Sequence, residues 1–157
     1  MVDELKQQYT LRITQANRTE LVVILYEMLL EYMKEAKSAC EKNEYKEFHI
    51  AINRGKTCVN ELIQTLDFTY ELSYQLRQLY LYVNQELIKA DVRQTTESFQ
   101  GIEVVIGGLK ESFSELCQKD TSGPVMKNTQ SVYVGLTYGK TQLQESMKGS
   151  DNRGYRI

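Results

Sequence analysis

The chain has 157 residues, about one domain's worth, with 19 basic and 21 acidic side chains and a single histidine, so its formal net charge is −2. That near balance excludes functions that rest on a basic field, nucleic-acid and anionic-membrane binding among them. The longest charge-free apolar run, Leu21 to Tyr26, is far short of the roughly 20 residues of a membrane span, and the charged opening from Met1 to Lys6 lacks a signal peptide's apolar stretch, which predicts a cytoplasmic chain.

In chain order, the first element is a segment, 1–17, in which Tyr9-Thr-Leu-Arg-Ile-Thr alternates apolar and polar residues. That alternation predicts an extended strip laid over the rest of the fold. Asn17 is a good N-cap, and Glu20 three residues later completes a capping-box pattern. A helix is predicted over 18–42 with Leu21, Leu25, Met28, Tyr32 and Ala39 inward, ended by Asn43. From Leu21 to Leu30 its only charge is Glu27, so it needs cover on more than one face. A second helix is predicted over 44–66, carrying Phe48, Ile52, Val59, Leu62 and Leu66. A third covers 71–90 with Leu72, Leu76, Leu79, Val83 and Leu87. A fourth covers 94–118 with Phe99, Ile102, Ile106, Leu109, Phe113 and Leu116. Steps of three and four with short connections predict an all-α fold, an antiparallel up-down four-helix bundle in one domain, 1–118.

Composition changes near residue 119. Residues 1–118 carry 13 basic and 18 acidic groups, net −5, whereas 119–157 carry 6 and 3, net +3, with five of the nine glycines and the only proline. Residues 119–157 therefore read as a flexible tail that buries too little apolar surface to offset its ordering entropy. Within it, only Val132-Tyr-Val-Gly-Leu-Thr-Tyr138 is apolar enough to dock.

Catalytic chemistry is hard to assemble from these residues. Di-iron bundles need Glu-x-x-His on two helices, but the only histidine, His49, has Lys46 three residues before it. Cys58 lies nine residues after His49, on the opposite side of a helix, so a cysteine–histidine pair is not formed. Cys40, Cys58 and Cys117 show no Cys-x-x-Cys spacing, and neither a disulfide framework nor a zinc site is expected. Gly107-Gly108 sits inside an apolar-periodic run and is no phosphate loop. No enzyme, metal site or cofactor is predicted.

Apolar surface exceeds what a bundle core needs. With Leu72 at zero and about 100° per residue, Tyr74, Leu81 and Ile88 fall at about 200°, 180° and 160°, a heptad-spaced stripe opposite the seam. The back of the fourth helix carries Gly101, Val104 and Gly108, low enough for another backbone to approach. Mid-helix glycines cost about 1 kcal/mol each against alanine. Antiparallel pairing would join the two faces in one groove, with Ile88 near Ser98–Gly101 and Leu81 near Val104–Gly108. Three occupants compete for this surface. The chain's own N-terminal segment and residues 132–138 would cover it within a monomer, a second copy would make it a homodimer seam, and another protein's amphipathic helix would use it as a docking groove.

The same residues carry a family resemblance. Tyr9 and Ile13, then Ala16-Asn17-Arg18-Thr19-Glu20-Leu21 and Ile24-Leu25-Tyr26-Glu27, resemble the start of the flagellar secretion chaperone FliS family. Leu66-Asp67-Phe68, Leu76, Leu79-Tyr80-Leu81-Tyr82 and Leu87-Ile88-Lys89-Ala90-Asp91 are similar to its second conserved block. The family's Thr-Ala-Ser-Pro proline is Arg18 here, and its Gly-Ala pair is Met28-Leu29. The resemblance implies a cytosolic export chaperone for flagellin that binds the disordered C-terminal segment of that protein and keeps it from polymerising before type III secretion. It further implies a tyrosine segment, matched by Tyr9, that sits over binding surface when flagellin is absent. Export-apparatus components are further partners in this reading, and the free protein is a monomer or weak homodimer. The expected partner-binding residues are Tyr9, Ile13, Tyr74, Leu81, Ile88, Gly101, Val104 and Gly108. The competing class is a homo-oligomeric structural or adaptor bundle.

Overall fold

The computed structural model describes residues 2–126, and among these it contains five helices and no strand: α1 (Asp3–Gln15), α2 (Arg18–Glu41), α3 (Tyr45–Gln64), α4 (Leu72–Arg93) and α5 (Phe99–Cys117). The expected flexibility of the tail from 127 onward, and the docking of residues 132–138, lie outside the described residues.

The segment expected to be extended is helical. Leu5, Tyr9 and Ile13 recur every four residues, and as a helix they share one face, which packs on Ala16, Leu21, Ile24 and Met28. In an extended strip Leu11 would share the face of Tyr9 and Ile13; in α1 it points to solvent. Helical pairing also satisfies this segment's backbone internally, which a lone strip cannot do.

The start of α2 is fixed as its sequence indicates. The Asn17 carboxamide accepts from the Glu20 backbone N–H at 2.9 Å, and the Glu20 carboxylate accepts from the Asn17 N–H at 3.1 Å. At its end Asn43 adopts a left-handed φ of 58°, and the Glu44 N–H reaches the Ala39 carbonyl at 2.9 Å, a Schellman closure. Gln94 does the same for α4, with φ 51° and Thr95 N–H on the Ala90 carbonyl. That closure is why the last helix starts at Phe99 and not at Gln94.

Packing follows the central position of α2. Val22, Leu25, Tyr26, Leu29, Met33 and Ala36 are all buried, because α1, α3 and α5 each cover part of its circumference. Gly55 permits α3 a close approach to α2: a Cβ there would stand 3.2 Å from a Leu29 methyl. Residue partners show neighbours running in opposite directions. Tyr26 meets Phe113 and Lys37 pairs with Glu103 between α2 and α5, while His49 meets Asp91 and Asn60 meets Asn84 between α3 and α4. Phe48 stacks on Phe99 at 6.4 Å across the core.

The core seam of α4 is turned from the expected one. Ser73, Leu76, Tyr80, Val83, Leu87 and Ala90 face inward, while Leu72 and Leu79 are exposed. Tyr80 is accommodated because its hydroxyl shares a 2.5 Å hydrogen bond with that of Tyr26. Burial raises the pKa of both phenols, so both stay protonated. Cys58 is likewise a core residue, its thiol pushed up to about 12 by burial first and by Glu61 second. His49 lies on the flank of the bundle, its Nδ1 2.8 Å from the Asp91 carboxylate and its Nε2 2.9 Å from the Asn53 amide.

Beyond α5 the chain turns back over the α1–α2 corner. Val125 N–H donates to the Ala16 carbonyl at 3.0 Å, and the Thr19 hydroxyl donates to Asp120 at 2.6 Å.

Two outcomes are expected. Tyr80→Phe leaves the Tyr26 hydroxyl buried without its partner, so stability should fall by about 1–3 kcal/mol in urea unfolding. The Asp120 carboxyl is held down at about 2, first by the Ser122 hydroxyl and then by that of Thr19. Its folded value lies below the unfolded one of about 3.9, so its contribution is complete above that value and is lost as pH falls toward 2. The amide resonances of Ser122 and Val125 should therefore move toward free-chain positions between about pH 4 and pH 2, ahead of those in the α2–α3 core.

Candidate functional site: an apolar face on the outside of α4

Large apolar side chains cluster on the solvent side of α4. Tyr74, Leu81 and Ile88 are 58%, 37% and 45% exposed, and heptad spacing sets them in one row. Leu72, Leu79, Tyr82 and Val92 are exposed on the same helix, and Phe68 and Tyr70 extend the surface into the α3–α4 connection. Phe68 and Tyr74 pack ring to ring at 5.1 Å. A contiguous surface of this kind on a small domain marks an interaction site more often than chance.

The rotation of α4 separates the stripe from the glycine face of α5. Asn84 meets Asn60 of α3, whereas Glu86 accepts from Ser98 and Tyr82 lies over Gly101 on the α5 side. Helical steps of about 100° put Leu81 about 60° from Asn84 and about 100° from Tyr82. The row Tyr74–Leu81–Ile88 thus runs along the α3-side flank. The expected contact of Ile88 with Ser98 is made by Glu86 instead, because the buried Tyr80 sets the rotation of the helix. Tyr82 is the α4 residue that stands against Gly101, where a Cβ would come within 3.0 Å of its hydroxyl oxygen. Val104, 70% exposed, points straight out of α5. Gly108 is exposed, with open space where a Cβ would be. The structure thus yields a broad apolar face with two ridges, the stripe and Val104, and Tyr82 between them.

Tyr9 and Ile13 sit elsewhere, on α1 against α2. Tyr9 is only 7% exposed and packs with Ala16 and Ile24. Arg12 holds α1 down: its guanidinium donates to both carboxylate oxygens of Glu27, at 2.5 and 3.3 Å, and lies 5.6 Å from the Tyr9 ring. Burial first, and then the charge of Glu27, raises the Tyr9 phenol pKa, so it stays neutral. Sequence reasoning missed Leu72 and Leu79, which it gave to the seam, and Tyr82 and Phe68. The signal available was the Leu-Tyr-Leu-Tyr run at 79–82, in which only one residue can face a narrow core.

Among the described residues no cluster of histidine, cysteine and carboxylate side chains is arranged to hold a metal, and no helix is long and apolar enough to cross a membrane.

Residues 1–120 match the family model described as Flagellar protein FliS. The chain is also 22% identical over 101 residues to the flagellar secretion chaperone FliS of Bacillus subtilis (strain 168), a match covering 64% of this chain and 76% of that relative.

The outer face of α4 can be separated from its core by substitution. Leu81→Glu and Ile88→Glu should leave the melting temperature within a few degrees, since about 1 kcal/mol corresponds to ~2–8 °C. Val83→Glu places an unpaired charge in the core and should abolish cooperative unfolding by circular dichroism.

Proposed function

The chain belongs to the Flagellar protein FliS family, and on that premise we propose that it is a cytoplasmic export chaperone that holds the disordered C-terminal segment of flagellin. In this reading α2 to α5 act as an up-and-down four-helix bundle and α1 as its N-terminal cap. The bound segment forms amphipathic helices on the bundle surface, and its sequestration prevents polymerisation before type III secretion. No covalent step is involved.

The observation that supports this reading is the apolar outer face of α4, from Leu72 through Tyr74, Leu81 and Ile88. Coupled folding and binding loses about 2–5 kcal/mol to ordering while burying on the order of 1,000–3,000 Å². A host must therefore offer far more apolar surface than a monomer ordinarily exposes. Helix-in-groove recognition uses anchors at steps of three, four and seven, and Tyr74, Leu81 and Ile88 form a row at the seven-residue step. The open backbone at Gly108 leaves a second helix room to lie close to α5, beside the ridge of Val104. Tyr9 and Ile13 bear on the cap: α1 is tied to α2 by one exposed ion pair and a small apolar cluster, contacts weak enough to yield to a partner.

A flagellin C-terminal peptide titrated into the full chain should bind 1:1 by calorimetry, with ellipticity beyond the sum of the parts. Leu81→Glu and Ile88→Glu should each weaken binding by more than about 2 kcal/mol, as expected of anchor residues, and Val104→Trp should act by steric block. Absence of heat and of added helix in low-salt buffer would refute the proposal. A stable dimer of the free chain that Leu81→Glu dissociates would show instead that a second copy is the occupant.

A further inference from the structure

At the end of the bundle where α2 and α4 begin and α3 and α5 finish lies an open cavity of about 330 Å³. Val22, Leu66, Tyr70, Leu72, Leu76 and Phe113 make it apolar, and its rim carries Arg18 and Thr19. Arg18 donates to the Thr65 carbonyl at 2.5 Å and the Ser73 hydroxyl to the Asp67 carbonyl at 2.5 Å, so the walls are fixed by bonds that cross between elements. We propose that this cavity is filled in cis by the chain's own residues 132–138, Val-Tyr-Val-Gly-Leu-Thr-Tyr.

Three observations carry the assignment. The first is where the described chain ends. Asp120 is bonded to Thr19 of the rim, and Val125 is bonded to Ala16, two residues before Arg18. The seven residues from Val125 to Val132 span up to about 25 Å when extended, enough to enter from the rim. The second is chemistry. Residues 132–138 carry no charge and hold four of their apolar side chains at alternate positions, Val132, Val134, Leu136 and Tyr138, which gives an extended segment one continuous apolar edge. Elsewhere beyond Met126 the large apolar residues, Leu143, Met147, Tyr155 and Ile157, are isolated among polar and charged ones. The third is charge: residues 127–157 carry 5 basic and 2 acidic groups, net +3, against 14 basic and 19 acidic, net −5, in residues 1–126. The attraction raises the local concentration of the tail at the body, and tethering makes the docking intramolecular.

The cavity and the outer face of α4 share Tyr70 and Leu72, so docking in cis shortens the surface open to a partner. That consequence rests on the function proposed above; the docking itself does not, and it is tested without a partner.

The test uses the full chain. A benzophenone amino acid in place of Tyr138 is irradiated in an equal mixture of light and heavy-isotope protein. Cross-links should reach residues 18–22, 65–76 or 113, joining light to light and heavy to heavy only. In parallel, Val134→Asp with Leu136→Asp should raise amide exchange in 65–76 about threefold or more while leaving α3 unchanged. Mixed light–heavy cross-links would assign the segment to a second copy and overturn the proposal. So would cross-links confined to other surfaces, or exchange in 65–76 that the double substitution does not alter.

Discussion

From Leu21 to Leu30 a single charge interrupts α2, and the arrangement of the described chain answers to that fact. A helix apolar on nearly every side is stable in water only when enclosed. Three helices are drawn around it, and α4, which reaches it through Tyr80, packs mainly on α3 and, less closely, on α5. Enclosure fixes Tyr26 at the centre, and Tyr26 fixes Tyr80, because a buried hydroxyl without a partner is costly. Tyr80 in turn fixes the rotation of α4 and so decides which side chains that helix turns to solvent. The exposed face is a geometric by-product of satisfying one phenol.

Much of this was legible in the residues. Asn17 with Glu20, Asn43, and the three-and-four steps of Phe48, Ile52, Val59 and Leu62 place α2 and α3 to within a few residues. The exposure of Tyr74, Leu81 and Ile88 follows from their distance from Val83 and Leu87 around the helix. What was not legible depended on partners distant in sequence. In α1, Tyr9 and Ile13 fit both a period of two through Leu11 and a period of four through Leu5. Only the surface of Ile24 and Met28 beneath them decides between the two. In α4, Leu72–Leu79 and Ser73–Tyr80 are rival rows one residue apart. The Leu72–Leu79 row is the more apolar of the two by side-chain type, and the choice is reversed by a hydroxyl on another helix 54 positions earlier. The candidate surface inherits that error: its stripe was readable, but Tyr82 as the neighbour of Gly101 was not.

The outside of α4 and the packed face of α1 occupy different parts of the molecule, and they differ in how they are held. Tyr9 is buried and the Arg12–Glu27 pair is partly exposed, so α1 is fastened by a small apolar cluster of Leu5, Tyr9 and Ile13 on α2 and by one ion pair. The stripe on α4 is presented by a helix whose inner side is anchored by Val83 and Leu87 in the core. One element is held by few contacts, the other by the core itself.

Asn17 does two jobs with one side chain. Its oxygen caps α2, while its nitrogen donates to the carbonyls of Asp120 and Ser122, at 3.5 and 3.4 Å, across a sequence separation of 103 and 105 residues. Aspartate, serine and threonine cap helices as well, but aspartate has no such donor and the hydroxyls offer one that is shorter and points elsewhere. Asparagine thus links the local event of starting a helix to contacts more than a hundred residues further along the chain. Closing so long a loop is entropically the last step a folding chain can take with profit. The contacts Asn17 makes there are long hydrogen bonds, weaker than those of regular geometry, and they open more readily than the core. The clasp between the two ends of the described fold is therefore last to form and first to open, and fraying there exposes the start of α2 before any core residue has moved.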